Sequence, residues 1–420
     1  MTSRRLPTGW QQIPLEELVQ PFPGHWGMDV QAEGLTPAQV LGVGNVLNDG
    51  NLDVESVPVR YLAQSELECI AQEGDLLVVK SSGSATNIRS GKTAICSHEL
   101  TGRIACSNFM MLLRPAKDKV EPRWLWRYLN GRDAKAFVQL IAGSSTYPNI
   151  KWSSYKNLLV PVPPLHSQQR IVAKLDKQMA ALDRAEKALA EQQAAALAFK
   201  RATLQTALDQ ATHPEWECAT LMDLCTFANG LWTGKKPPFQ QASVIRNTNF
   251  TRDCTLDFSD IAHLDVEERQ LRSRRLRTGD IILERSGGGP KQPVGRVALF
   301  ELNDESYSFS NFTSVIRVNE RSGVLPRFLW YYLFHLYSSG VTEALQNHTS
   351  GIRNLDFSSY VMLSIPVPTL DEQRRVVEQL DWSIEQANNL LSYVAEQALT
   401  LASLRTSLLD AAFSGEISHD

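Results

Sequence analysis

Cysteine is scarce in this chain. Its six residues in 420 (Cys69, Cys96, Cys106, Cys218, Cys225 and Cys254) form no CxxC pair, which excludes a disulfide scaffold and points to a cytoplasmic protein. Long apolar runs are missing too: the richest stretch, 328–337 (FLWYYLFHLY), is too short to span a bilayer, so no membrane association is expected. The N-terminal segment has basic residues but no apolar h-region, so no signal peptide is expected. Positive charge is not in excess, with 42 Lys and Arg against 46 Asp and Glu, a net charge of -4. A free-standing nucleic-acid binder is usually basic, so any positive potential here must be local or come from a partner. What is present is 43% hydrophobic residues, enough for real cores.

Catalytic motifs are equally thin. Eight scattered histidines give no HExxH or zinc spacing. Gly91-Lys92-Thr93 has the tail of a phosphate-binding loop but carries Thr86 where the first glycine belongs, and Gly42-Val43-Gly44 lacks a third glycine. No Asn-Pro-Pro-aromatic motif and no acidic cluster followed by Glu-x-Lys is present. The residues describe a binding protein whose chemistry lies elsewhere.

The positive signal is an internal repeat. Gly74-Asp75-Leu76-Leu77 matches Gly279-Asp280-Ile281-Ile282, and 149–155 (NIKWSSY) matches 354–360 (NLDFSSY), both at a separation of 205. Trp124-Leu125-Trp126 matches Phe328-Leu329-Trp330 at 204, and Ser107-Asn108-Phe109 matches Ser310-Asn311-Phe312 at 203. Trp10, Leu15 and Leu18 match Trp216, Leu221 and Leu224 at 206. A period this long means a duplicated domain, not a solenoid.

Each half changes texture once. The first part has short β-rich runs (75–79, 109–114, 280–283, 294–300 and 314–318) broken by turn residues, with short helices at 122–130 and 326–337. The second part, 165–213 and 369–414, has no Gly or Pro and is rich in helix formers. In the later window Leu380, Ile384, Ala387, Leu391, Val394, Ala398, Leu401 and Leu408 keep heptad spacing. In the earlier one Leu175, Leu182 and Leu189 do so, with Ile171, Ala185, Ala196 and Phe199 filling in. The expected fold is α+β: two duplicated globular domains of mixed strands and short helices, separated by two long helices packed as an antiparallel coiled coil. The expected boundaries are 1–164 and 214–369 for the globular domains, 165–213 for the first long helix, and 370–420 for the second with its tail.

The segments 160–172 (VPVPPLHSQQRIV) and 365–377 (IPVPTLDEQRRVV), each opening a long Leu/Ala helix, together with 404–415 (LRTSLLDAAFSG), resemble the specificity subunit of type I DNA restriction–modification systems. The resemblance covers essentially the whole chain. One departure is His166-Ser167-Gln168, where the second half has Asp371-Glu372-Gln373; this weakens the acidic first turn of the first helix. The resemblance implies two target-recognition domains reading the two halves of a split double-stranded DNA site, and a helix pair that sets the unread gap; the candidate loops of the two domains differ in length and composition, which predicts unlike half-sites and an asymmetric bipartite target. It also implies two docked methyltransferase subunits that bind S-adenosylmethionine, and restriction and translocase subunits that cut. This chain itself would hold no cofactor and no metal.

Small residues let backbone approach a duplex, hydroxyls and Lys meet phosphate, and Arg or Asn can read base edges. The first candidate cluster is therefore Lys80, Ser81, Ser82, Ser84, Asn87, Arg89 and Lys92, with Arg285, Ser286, Gly287, Lys291 and Arg296 in the second domain. A second cluster precedes each helix: Ser144, Ser145, Thr146, Tyr147, Asn149 and Lys151, matched by Thr349, Arg353 and Asn354. A third is Trp232 with Lys235 and Lys236, where Trp232 is read as packing rather than base stacking. The arginine run Arg269, Arg272, Arg274, Arg275 and Arg277 is the densest local positive charge. The competing readings are ordinary surface turns, a coiled-coil dumbbell scaffold that never touches DNA, and a nucleotide-binding enzyme built on Lys92.

Overall fold

The computed structural model describes residues 6–47, 50–81, 83–84, 87–142, 148–209, 213–232, 236–289, 292–347 and 353–417, with backbone alone at 83–84 and 87–88. The chain divides into two compact units, residues 1–189 with 395–420, and residues 190–394. Each long helix therefore contributes one half to each unit.

In the first unit the central sheet has four strands in the order Val19–Pro23, Met110–Pro115, Leu76–Val79, Thr93–Ile95, all antiparallel. A three-stranded sheet follows, Val59–Leu62, Thr36–Leu41, Ile104–Cys106, whose last pair is parallel. Gln11–Pro14 pairs with Leu159–Val162 at the root of the long helix. The second unit repeats this plan: Cys225–Asn229, Thr313–Val318, Ile281–Glu284, Val297–Leu299 form the four-stranded sheet. Its three-stranded sheet is Ala262–Glu267, Phe239–Ile245, Tyr307–Phe309, again with a parallel last pair. Duplication thus reaches strand order and direction. The short helices Pro122–Leu129 and Pro326–Ser338 lie where the sequence put them, each with proline in its first turn.

The duplicated motifs have structural causes. In the Gly-Asp turns, Gly74 and Gly279 adopt φ of 87° and 91°, where a side chain would be strained. The following carboxylate is buried: Asp75 is held by Arg114 at 2.8 Å and Asp280 by Arg317 at 2.6 Å. The glutamine of each pre-helix motif is fully buried and ties the helix to its domain. Gln168 Oε1 accepts from Glu121 N at 2.8 Å while its Nε2 donates to Pro163 O at 2.8 Å. Gln373 makes the same contacts with Leu325 N and Pro368 O, at 2.7 and 2.8 Å. The aspartate that closes each motif accepts from Arg127 (Asp176, 3.0 Å) or from Arg327 and Tyr331 (Asp381, 2.9 and 2.5 Å).

The long helices are Leu165–Leu208 and Leu370–Ser414. The second starts with a capping box: Thr369 N donates to Glu372 Oε2 at 2.9 Å and Glu372 N to Thr369 Oγ1 at 3.4 Å. The first has no acidic residue in its opening turn. In the first unit the early half of the first helix meets the late half of the second, with Arg405 bonded to Asp183 at 2.6 Å and Phe413 edge-on to Trp124 at 4.8 Å between centroids. In the second unit the late half of the first meets the early half of the second, where Lys200 Nζ donates to Asn388 Oδ1 at 2.9 Å. That order of halves is antiparallel.

Two seam assignments need correction. Phe199 is exposed and Lys200 is buried in its place, because the ammonium finds Asn388 and, at 2.9 Å, Asp253. Ala398 is exposed as well, and farther along the half-buried Arg405 occupies the seam between Leu401 and Leu408. No helix among the described residues is long and apolar enough to cross a membrane. Five of the six cysteines are buried, and burial pushes the thiols of Cys96, Cys225 and Cys254 up to about 11, 12 and 12, which makes them unreactive.

Candidate nucleic-acid interface

Each candidate loop begins where a fully buried strand leaves the core sheet. At that point three chain segments cross. In the first unit the N–H groups of Lys80 and Ser81 both donate to Phe109 O, at 2.9 and 3.2 Å, while Ile150 N donates to Lys80 O at 2.8 Å. In the second, Arg285 and Ser286 donate to Phe312 O at 2.9 and 3.2 Å, and Leu355 N donates to Arg285 O at 2.8 Å. The loop cluster and the pre-helix cluster, separate in sequence, are therefore one surface. Ser81 bridges Asn149, and strand Ser286–Gly288 pairs with Arg353–Leu355. Ser286 Oγ donates to Asn354 Oδ1 at 2.5 Å.

The side chains divide into structural and outward-facing. Arg296 is a correction: it is buried, bonded twice to buried Glu284 at 2.8 Å and to Phe250 O at 2.8 Å, so it braces the loop from behind. A guanidinium so paired cannot swing out without stranding a carboxylate in the core. Arg285 is half-buried, donating to Asn229 Oδ1 at 2.7 Å with its Cζ 4.2 Å from the Phe357 ring centroid; burial lowers its pKa. Arg353 lies 3.4 Å from Glu343. In the arginine run, Arg272 pairs with Glu268 and Arg275 with Glu305, while Arg274 bonds Asn229 O.

The first unit also presents cations. Arg89 and Lys151 are exposed. Burial, then the nearby Arg89 and Lys135, lower the pKa of half-buried Lys92, so a basic cluster lies beside the loop. Ser84 and Asn87 sit on the short hairpin Gly83–Ser84 with Asn87–Ile88. Gly91 is not part of a phosphate cradle: strand Thr93–Ile95 follows it where a helix would be needed. Ser82, Ser144, Ser145, Thr146, Tyr147, Lys235, Lys291 and Thr349 lie outside the described residues.

Trp232 does not pack inside. It is 64% exposed, at a cavity of about 410 Å³ that Phe312 and Asn247 also line. The cause is a close crossing at Gly230, where an added Cβ would lie 1.8 Å from Ser310 O. Past that crossing the strand alternates, burying Leu231 and exposing Trp232. Exposed Lys236 follows, its backbone N–H donating to Glu267 Oε1 at 2.8 Å. Sequence reasoning missed the counterpart in the first unit. Gly24, with Ser107 O 2.0 Å from its Cβ position, precedes Trp26, which stands edge-on to exposed Phe109 at 6.3 Å. The signal was available: Gly24-x-Trp26 and Gly230-x-Trp232 share the 206-residue separation of Trp10 and Trp216.

Comparison with known proteins agrees with this architecture. Residues 45–192 and 214–392 match the family described as the type I restriction modification DNA specificity domain. The StySPI specificity subunit of Salmonella potsdam is 24% identical, and the EcoKI specificity subunit of Escherichia coli K12 25%; each alignment covers 99% of this chain and 91% of the relative. Among solved structures, a chain from a type I R-M system studied for complex assembly and conformational transition aligns with a TM-score of 0.75 at 20% identity, over 98% of this chain and 100% of that one. The HsdS subunit of Thermoanaerobacter tengcongensis aligns at 0.58 and 20% identity, over 99% of both chains. With the family matched over well more than half its length and one strand plan written twice, the chain belongs to the specificity subunits of type I restriction–modification systems, its two matched regions being their DNA target-recognition domains.

Proposed function

We propose that this chain is the non-catalytic reader of a type I complex. Each domain contacts one half of a split DNA site, and the long helices, about 66 Å each at 1.5 Å per residue, set the unread gap between halves. The observation that carries this reading is the shared main-chain crossing at Lys80 and Arg285 with unlike side chains around it. Equal geometry with different chemistry suits two unlike half-sites. In the first domain Lys80, Ser81, Arg89, Lys92, Asn149 and Lys151 would contact DNA; in the second, Trp232, Lys236, Ser286, Gly287 and Asn354. The helix pair would dock two methyltransferase subunits, which bind S-adenosylmethionine and transfer its methyl group, with restriction and translocase subunits added for cutting.

A methylome tests this. The chain is expressed with the methyltransferase subunit of its own operon in a methylation-free host, and the DNA is sequenced for N6-methyladenine. A bipartite motif with unlike halves and a fixed gap is expected, and exchanging residues 214–369 should change one half only. A soluble complex that leaves DNA unmodified would favour a scaffold that never reads DNA.

A further inference from the structure

We propose that each recognition domain reads the C5 methyl group of one thymine with exposed aromatic rings, Trp26 and Phe109 in the first domain, Trp232 and Phe312 in the second. This rests on the DNA-reading function above and adds to it a base feature and the side chains that meet it.

The same main-chain contacts build the aromatic site in both domains. Just past the close crossings at Gly24 and Gly230, His25 N donates to Cys106 O and Leu231 N to Phe309 O, both at 2.8 Å, which sets the register of the tryptophan that follows. The phenylalanine sits third in a four-residue turn, closed by Met110 N on Ser107 O and by Thr313 N on Ser310 O, each at 2.9 Å. Its carbonyl accepts from Lys80 and Ser81 in one domain and from Arg285 and Ser286 in the other, so the ring is rooted at the candidate loop. In the second domain the Phe312 ring also lies 4.0 Å from where a Gly287 Cβ would stand. All four rings are exposed. Lys80, bonded through its backbone to Phe109, and exposed Lys236, beyond Trp232, supply charge suited to phosphate beside them.

Ring chemistry selects the methyl. A phenyl ring has no hydrogen-bonding group and an indole only one donor, so these side chains recognise an apolar feature of the duplex. On the base edges of the major groove that feature is the thymine methyl. Geometry disfavours stacking on an unpaired base instead. Trp26 and Phe109 stand edge-on, 6.3 Å apart at 77°, which leaves no parallel-walled slot, and Arg60 lies over the Trp26 ring at 5.2 Å. In the second domain Trp232, Phe312 and exposed Leu264 line a cavity of about 410 Å³, with room for a methyl group and the ring edge that carries it.

The test uses the complex assembled with its methyltransferase subunit. With the target known from the methylome, each thymine of a target duplex is replaced in turn by uracil, which lacks only the methyl, and affinity is measured by competition. One position in each half should weaken by about fourfold, the equivalent of roughly 0.8 kcal/mol for one buried carbon. Trp232→Ala should abolish that sensitivity in the second half and leave it intact in the first, and Phe109→Ala should do the reverse. Phe312→Ala and Trp26→Ala repeat the comparison from the other ring of each site, with melting temperature and co-purification with the methyltransferase measured alongside. Uracil tolerated at every position, or sensitivity that survives these variants, would overturn the proposal. So would loss of methyltransferase binding in the variants, which would make the rings a protein-docking surface. A wild-type complex that methylates no split site would instead overturn the DNA-reading function on which the proposal rests.

Discussion

Gln373 accepts the backbone N–H of Leu325 at 2.7 Å from 48 residues away, while its amide nitrogen donates to Pro368 O and Gly323 O. Gln168 does the same for the first domain with Glu121 N, Pro163 O and Lys119 O. Both carboxamides are fully buried, so truncation leaves main-chain groups without partners. Gln373→Leu should destabilise the second unit by roughly 2–3 kcal/mol, and Gln168→Leu the first. Urea unfolding with Trp fluorescence checks this, with Gln→Glu at the same positions expected to be no better tolerated.

Lys200 and Asp253 predict an asymmetry. The Lys200 ammonium is buried, whereas Asp253 is half-exposed. Asp253→Ala therefore leaves a buried charge with only Asn388 and should cost about 1–3 kcal/mol, while Lys200→Met removes the charge itself and should be neutral or stabilising. Thermal denaturation of the two variants compares them directly; equal losses would contradict this account.

Arg296 and Lys151 separate folding from DNA contact. Arg296→Met strands the buried Glu284 carboxylate and should cost roughly 3–5 kcal/mol. Lys151→Ala, on an exposed side chain, should change stability by less than about 0.5 kcal/mol. Its effect belongs in the salt dependence of DNA affinity, where the log–log slope should fall by about 0.9. Filter binding of the assembled complex at several salt concentrations measures it.

Burial holds the His335 imidazole below its ordinary value of 6.5, outweighing the opposite pull of Asp209. A folded pKa below the unfolded one means that the unfolded chain binds the proton more readily. The contribution is thus present above pH 6.5 and lost as pH falls toward the folded value. Melting temperature should drop more steeply from pH 7.5 to 5.5 in wild type than in His335→Gln.

Duplication, both long helices and the first turn of each recognition loop were legible in the sequence, because each is a local or periodic property. The 205-residue repeat lies in residue identity, and a long stretch without Gly or Pro, rich in Ala, Leu and Glu, has no good alternative to a helix. Tertiary structure decided the rest. Lys200 enters the seam and Phe199 leaves it because the ammonium meets Asn388 and Asp253, which lie 188 and 53 residues away. Ser286 and Asn354 share a surface, and Arg296 is withdrawn from it onto Glu284, only because strand pairing brings these residues together. Composition and periodicity record what a residue prefers along its own segment; whether a charged or aromatic side chain faces solvent depends on partners that only the folded chain supplies.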